Sequence, residues 1–144
     1  MPKTIAFVCV HNSCRSQMAE AIAKIKFASW LIPYSAGTHP VAQINQDAVK
    51  IIKEIYDYDM ERDQYSKTID VLPTIEILIT MGCNVDCPYL PCQVREDWGL
   101  DDPAGQPREA FIKTVELIEA KMADLVARIA NGAFLRANSN GSST

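Results

Sequence analysis

Apolar positions along this chain recur with two periods, one of strands and one of helices. Ile5-Ala6-Phe7-Val8 is a continuous apolar run with the length of a buried strand. In Gln17-Met18-Ala19-Glu20-Ala21-Ile22-Ala23-Lys24-Ile25, residues Met18, Ile22 and Ile25 then repeat at helical spacing. Leu31 to Gly37 reads as a second strand, and its Pro33 suits an edge position. Thr38 to Gln43 is a loop, and Asn45-Gln46-Asp47 caps a helix carrying Ala48, Ile51, Ile52 and Ile55. Tyr56 to Ser66 reads as a polar and aromatic connection, with a short helical turn expected near Lys67 to Leu72. Ile75 to Met81 is the clearest later strand, and Gln93 to Leu100 gives a fourth with weaker alternation. From Pro107 to Ala130, Phe111, Val115, Ile118, Met122, Leu125 and Ile129 step by four and three, so this helix lays one stripe on the core. Asn131-Gly132 stops it, and Asn138 to Thr144 reads as a disordered polar tail.

Strands alternating with helices predict an α/β fold: three layers, α/β/α, around a four-stranded parallel sheet. With no internal repeat or linker, residues 1–132 are expected to form one domain, followed by a tail over 133–144. In such sheets ligands bind beyond the carboxyl ends of the strands. Cys9, the Gly82-Cys83 segment and the Asp101-Asp102 loop each follow a predicted strand and are candidates to converge on one rim.

The chemistry centres on Cys9-Val10-His11-Asn12-Ser13-Cys14-Arg15-Ser16, between the first strand and the first helix. Unpaired N–H groups and the positive end of a helix dipole favour an anion there. Arg15 adds a planar fork of donors suited to a tetrahedral oxyanion. Residues Val10, His11, Asn12, Ser13, Cys14, Arg15 and Ser16 are thus candidate oxyanion ligands. Cys9, at the lip of that field, is expected to be a nucleophilic thiolate of depressed pKa. His11 would either help lower that pKa when protonated or simply shape the backbone. The glycines and lysine of a nucleotide-binding loop are missing. A carboxyl of Asp101-Asp102-Pro103 could act as general acid toward a leaving oxygen, although Asp-Pro is also common turn chemistry.

Composition narrows the partners. A net charge of −4, with no basic block, argues against nucleic acid and leaves anion attraction to the loop itself. No run reaches transmembrane length and the amino terminus has no signal-peptide pattern, so a cytoplasmic protein without membrane partners is expected. Five cysteines in a reducing compartment point to catalysis, redox exchange or metal binding. Cys83, Cys87 and Cys92 match no zinc or iron–sulfur spacing, and both histidines lie far upstream. No metal and no cofactor are therefore expected, and a thiol relay fits the segment better.

Taken together, these pieces resemble the thioredoxin-coupled arsenate reductases, built on the low-molecular-weight protein tyrosine phosphatase fold. The resemblance rests on Cys9-x5-Arg15-Ser16 with Asn12, Gln17-Met18-Ala19-Glu20, Tyr34-Ser35-Ala36-Gly37, Cys83, Cys87-Pro88, and Arg95 to Pro103. It implies that Cys9 attacks arsenate held by the loop amides and Arg15 while Asp102 protonates the departing oxygen. It further implies that Cys83 attacks the adduct, that Cys87 takes over the disulfide, and that thioredoxin reduces the Cys83–Cys87 pair. Only three residues separate Cys83 from Cys87, fewer than in well-known members, and Cys92 is an extra candidate for the final thiol. The acidic position of the family's cation site, aligned at Ser66-Lys67, holds Lys67 here. A phosphatase acting on phosphotyrosine or small phosphomonoesters is the alternative. It would need Cys9, Arg15 and Asp102 only, but Ala104-Gly105 stands where such phosphatases carry tyrosines. A binding or redox-sensing module using the same loop without turnover is the third.

Overall fold

The computed structural model describes residues 2–82 and 90–132. Strands β1 (Lys3–Cys9), β2 (Leu31–Gly37), β3 (Ile77–Thr80) and β4 (Val94–Asp97) form one parallel sheet in the order β2-β1-β3-β4. Pro33 does lie on an edge strand, where the missing N–H costs no ladder bond. The central strand β1 is buried on both faces, so its run is apolar without alternation.

Helices α1 (Arg15–Lys26), α2 (Gln46–Tyr56) and α4 (Arg108–Ala130) contribute to one core cluster with Ile5, Phe7, Ile77 and Ile79. The pleat sends Ala6, Val8 and Leu78 to the opposite face. There, among the described residues, the cover is Tyr34, Leu90, Cys92 and a 3-10 turn, Ile69–Val71, rather than a long helix. The predicted third layer is thus thin where it is described. Asn45 caps α2 by accepting from the Ala48 N–H at 3.0 Å, and the glycine at 132, with φ 76°, follows the end of α4, as their residue types predict.

Two elements differ from expectation. A four-residue helix, α3 (Met60–Asp63), interrupts the predicted connection. It holds the fully buried Met60, and Asp59 accepts from the Glu61 N–H at its start. β4 is shorter than Gln93 to Leu100, because Trp98 and Leu100 turn into the core. Trp98 places its ring 5.6 Å from that of Phe7. The fourth strand therefore ends early and sends the Leu100–Asp102 segment across the carboxyl rim of the sheet.

Candidate active site

The loop begins where β1 ends at Cys9 and closes where α1 begins at Arg15. Cys14, the residue before α1, makes no side-chain cap, which leaves the first-turn N–H groups without a side-chain acceptor. Its tight course requires Asn12 at φ 50°, a left-handed conformation that asparagine tolerates better than most residues. It also requires Gly37: a Cβ there would stand 2.6 Å from Val10 O and 2.9 Å from Asn12 N. β2 thus ends on a glycine because the loop backbone crosses directly over it.

Cys9, Val10, His11, Ser13, Cys14, Arg15 and Asp102 line a cavity of about 180 Å3. Two of the candidate ligands, Asn12 and Ser16, do not line it. Both are fully buried and sit behind the sulfur. Ser16 Oγ lies 3.0 Å from Cys9 Sγ and accepts from Asn12 Nδ2 at 2.8 Å. With Asn12 Nδ2 donating into Ser16, the serine hydroxyl proton is available to the sulfur, and a hydrogen bond from it favours a thiolate.

Arg15 is 6 % exposed and spends Nη1 on two backbone carbonyls, Met81 O at 2.8 Å and Leu100 O. Nε and Nη2 remain on the edge of the guanidinium. Nη2 stands 3.9 Å from Asp102 Oδ2. Asp102 itself is half-exposed and accepts from the Ala104 N–H at 3.0 Å, which folds its turn back on itself. Burial pushes the Cys14 thiol well up from its ordinary value, reinforced by Asp102 and Cys9, so Cys14 stays protonated in the same cavity. Cys9 is therefore the one of these two thiols suited to nucleophilic chemistry. His11 is exposed and turns Nδ1 to the His39 carbonyl at 3.1 Å, a contact that shapes the loop.

Behind the loop lies a frame that motif reading alone passed over. Gln17 Nε2 donates to Asn12 O at 2.9 Å and Tyr65 O at 3.0 Å, and Gln64 Nε2 donates to Gln17 Oε1 at 2.8 Å. Ser66 Oγ donates to His11 O, and the Lys67 N–H donates to Asn12 Oδ1 at 3.0 Å. Glu20 accepts from Ser35 Oγ at 2.6 Å and faces two ammonium groups, Lys24 at 2.6 Å and Lys67 at 3.7 Å. Ser16, Gln17 and Glu20 are polar positions in a helix whose residues Arg15 through Ala23 are all buried, a burial visible only in the fold. Buried polar groups need partners: Ser16 and Gln17 find them in the loop, and Glu20 finds them in Ser35, Lys24 and Lys67.

Cys83 and Cys87 lie outside the described residues, as does the polar tail. Gly82, immediately before Cys83, is held at the rim with φ 85°, where a Cβ would collide with Gly99 Cα at 2.7 Å. Cys92 is described and stands elsewhere. It is half-buried on the second apolar cluster, two residues before Val94, which pairs with Ile77 at the amino-terminal edge of β3. Cys9 ends β1 at the opposite, carboxyl edge. No group of three or more metal-ligating side chains occurs among the described residues, and no helix among them is long and apolar enough to cross a membrane.

Comparison with known proteins agrees with this geometry. Residues 4–133 match the low molecular weight phosphotyrosine protein phosphatase family. Arsenate reductase 1 of Staphylococcus epidermidis is 36% identical over 135 residues, covering 88% of this chain and 98% of that protein. The arsenate reductase of Staphylococcus aureus strain Newman is 38% identical over 133 residues, with the same coverage. Among solved structures, an arsenate reductase in the phosphate binding state superposes with a TM-score of 0.78 at 32% identity, over 88% of this chain and 98% of that one. The Corynebacterium glutamicum thioredoxin-dependent arsenate reductase superposes with a TM-score of 0.72 at 28% identity, over 91% of this chain and 63% of that one. The chain belongs to the low molecular weight phosphotyrosine protein phosphatase family and, within it, to the arsenate reductases.

Proposed function

We propose that this chain reduces arsenate to arsenite through a cysteine relay that thioredoxin resets. The observation that carries the reading is the cavity in which Cys9, the edge of Arg15 and Asp102 face one another. Its volume suits a small tetrahedral oxyanion. Arg15 and the helix N-terminus hold the anion, and the Cys9 thiolate attacks arsenic. Asp102 donates a proton to the departing oxygen, which leaves as water. The Cys83 thiolate then attacks Cys9 Sγ, and the sulfur–arsenic bond breaks. Its electron pair stays on arsenic, so arsenic(V) leaves as arsenite and a Cys9–Cys83 disulfide remains. Cys87 attacks Cys83, releases the Cys9 thiolate and forms Cys83–Cys87, which a thioredoxin dithiol reduces.

Two placements support this order. Gly82, the residue before Cys83 in the sequence, is fixed beside the Met81 carbonyl that holds Arg15. Cys92 stands at the far edge of the sheet, which favours Cys87 as the final thiol. The Corynebacterium relative supports thioredoxin as reductant for this chain. Arsenate turnover with a thioredoxin system, measured beside hydrolysis of an aryl phosphate, tests the reading. Thioredoxin-dependent arsenite release supports it, whereas aryl phosphate hydrolysis without arsenate reduction would replace it with a phosphatase.

A further inference from the structure

Lys67 occupies an unusual position for a lysine. Its side chain is 12 % exposed, and its ammonium donates to Tyr65 O at 3.1 Å and lies 4.9 Å from the centre of the Tyr65 ring. The same ammonium faces Glu20 Oε1 at 3.7 Å, on α1. Its backbone works in two other directions. The N–H donates to Asn12 Oδ1, and the carbonyl accepts from the Gly37 N–H at 2.9 Å. One residue therefore joins α1, the end of β2 and the left-handed turn of the loop. Asn12 in turn donates to Ser16, 3.0 Å from the sulfur.

A carboxylate, a backbone carbonyl and a serine hydroxyl behind such a loop form an oxygen set of the kind that holds a small monovalent cation, the site that the family resemblance implies. The residues present do not fit that ion. Glu20 already faces the ammonium groups of Lys24 and Lys67, and a third positive charge in this half-buried space would be repelled by both. Tyr65 O is likewise taken by the lysine and by Gln17 Nε2.

We infer that Lys67 is a positioning residue whose tethered ammonium does the work of a bound monovalent cation, holding Glu20 and the Tyr65 carbonyl while its backbone N–H holds Asn12, so that the Cys9 loop keeps its shape without one. The inference rests on the reading of Cys9 as the nucleophile. Its consequence is a loop indifferent to which monovalent salt surrounds it.

The test is the pH profile of iodoacetamide alkylation at Cys9, read by mass on the Cys9 peptide. Wild type, Lys67→Ala and Lys67→Met are compared in potassium, ammonium and tetramethylammonium chloride at equal ionic strength. The wild-type profiles are expected to superimpose. In Lys67→Ala the midpoint rises in tetramethylammonium and returns toward wild type in potassium or ammonium, which are small enough to enter the vacated space. In Lys67→Met, whose side chain fills that space without charge, the midpoint stays raised in all three salts. Arsenate turnover should follow the same order, falling roughly 10-fold or more in the uncharged variants. A wild-type profile that shifts with potassium overturns the inference. So does Lys67→Ala with a wild-type profile, or with a raised one that no cation restores. Should wild-type Cys9 alkylate like an ordinary thiol at every pH, the nucleophile reading falls and the lysine inference with it. A low-pH thiolate with the wrong salt pattern sinks the lysine inference alone.

Discussion

Arg15 Nη2 and Asp102 Oδ2 face each other at 3.9 Å across the mouth of the cavity. The same guanidinium holds Met81 O and Leu100 O through Nη1, so it anchors both strands' exits while leaving its other edge to an anion. A guanidinium has five donors in a fixed plane, enough for both duties.

Arg15→Lys should therefore fail despite keeping its charge. An ammonium cannot reach two backbone carbonyls and present a parallel pair of donors to an oxyanion. A loss of about 100-fold or more in kcat/KM is expected. Near-wild-type arsenate reduction would show that the paired donors are dispensable.

Cys9→Ser should abolish arsenate reduction and any aryl phosphate hydrolysis together, because both need the same thiolate. Cys83→Ser separates them: it should stop arsenite release and leave aryl phosphate hydrolysis measurable. Reduction that survives Cys83→Ser would take that residue out of the relay.

Gly37→Ala should destabilise the protein by about 1–3 kcal/mol, since its methyl group meets loop backbone rather than a movable side chain. Chemical denaturation reads the loss, and reduced kcat/KM reads the displaced loop. An alanine variant with unchanged midpoint and activity would show that the crossing relaxes freely.

Glu96 accepts from Arg128 Nη1 at 2.6 Å and Nη2 at 2.9 Å, tying β4 to α4. These hydrogen bonds hold its carboxyl below the usual 4.5. A depressed acid stabilises the fold above its unfolded pKa, and that contribution is lost as pH falls through the folded value. Wild type should thus exceed Glu96→Gln in stability at neutral pH, and the gap should narrow below about pH 4.5. Denaturation midpoints that keep a constant gap down to acid pH would contradict this.

Much of this architecture was legible in the chain because periodicity and caps are local signals. The run Ile5 to Val8, the stripe on α4, Pro33 on an edge and Asn45 before α2 each match what their neighbours demand. The meeting of Cys9 and Arg15 at one cavity was legible because a strand end and a helix start at that spacing bring the two together. The frame of Gln17, Gln64, Ser66 and Lys67 was not, because the hydrogen bonds that tie it together join residues 47 to 55 apart. Tertiary pairing of that kind leaves no period. α3 was missed because four residues are too few to show one, and it stands on the burial of Met60.

The contact of Gly82 with Gly99 and Leu100 bears on any attempt to rebuild this site. Two main chains touch there without side chains between them, so the crossing works as a rivet between the exit of β3 and the segment that carries Asp102. A transplanted acid loop, taken from a relative to change the leaving group it serves, has a natural splice point after Leu100. A graft that starts earlier must bring its own glycine at position 99 to meet the retained Gly82. One that starts later inherits the rivet, and with it the seat of Arg15.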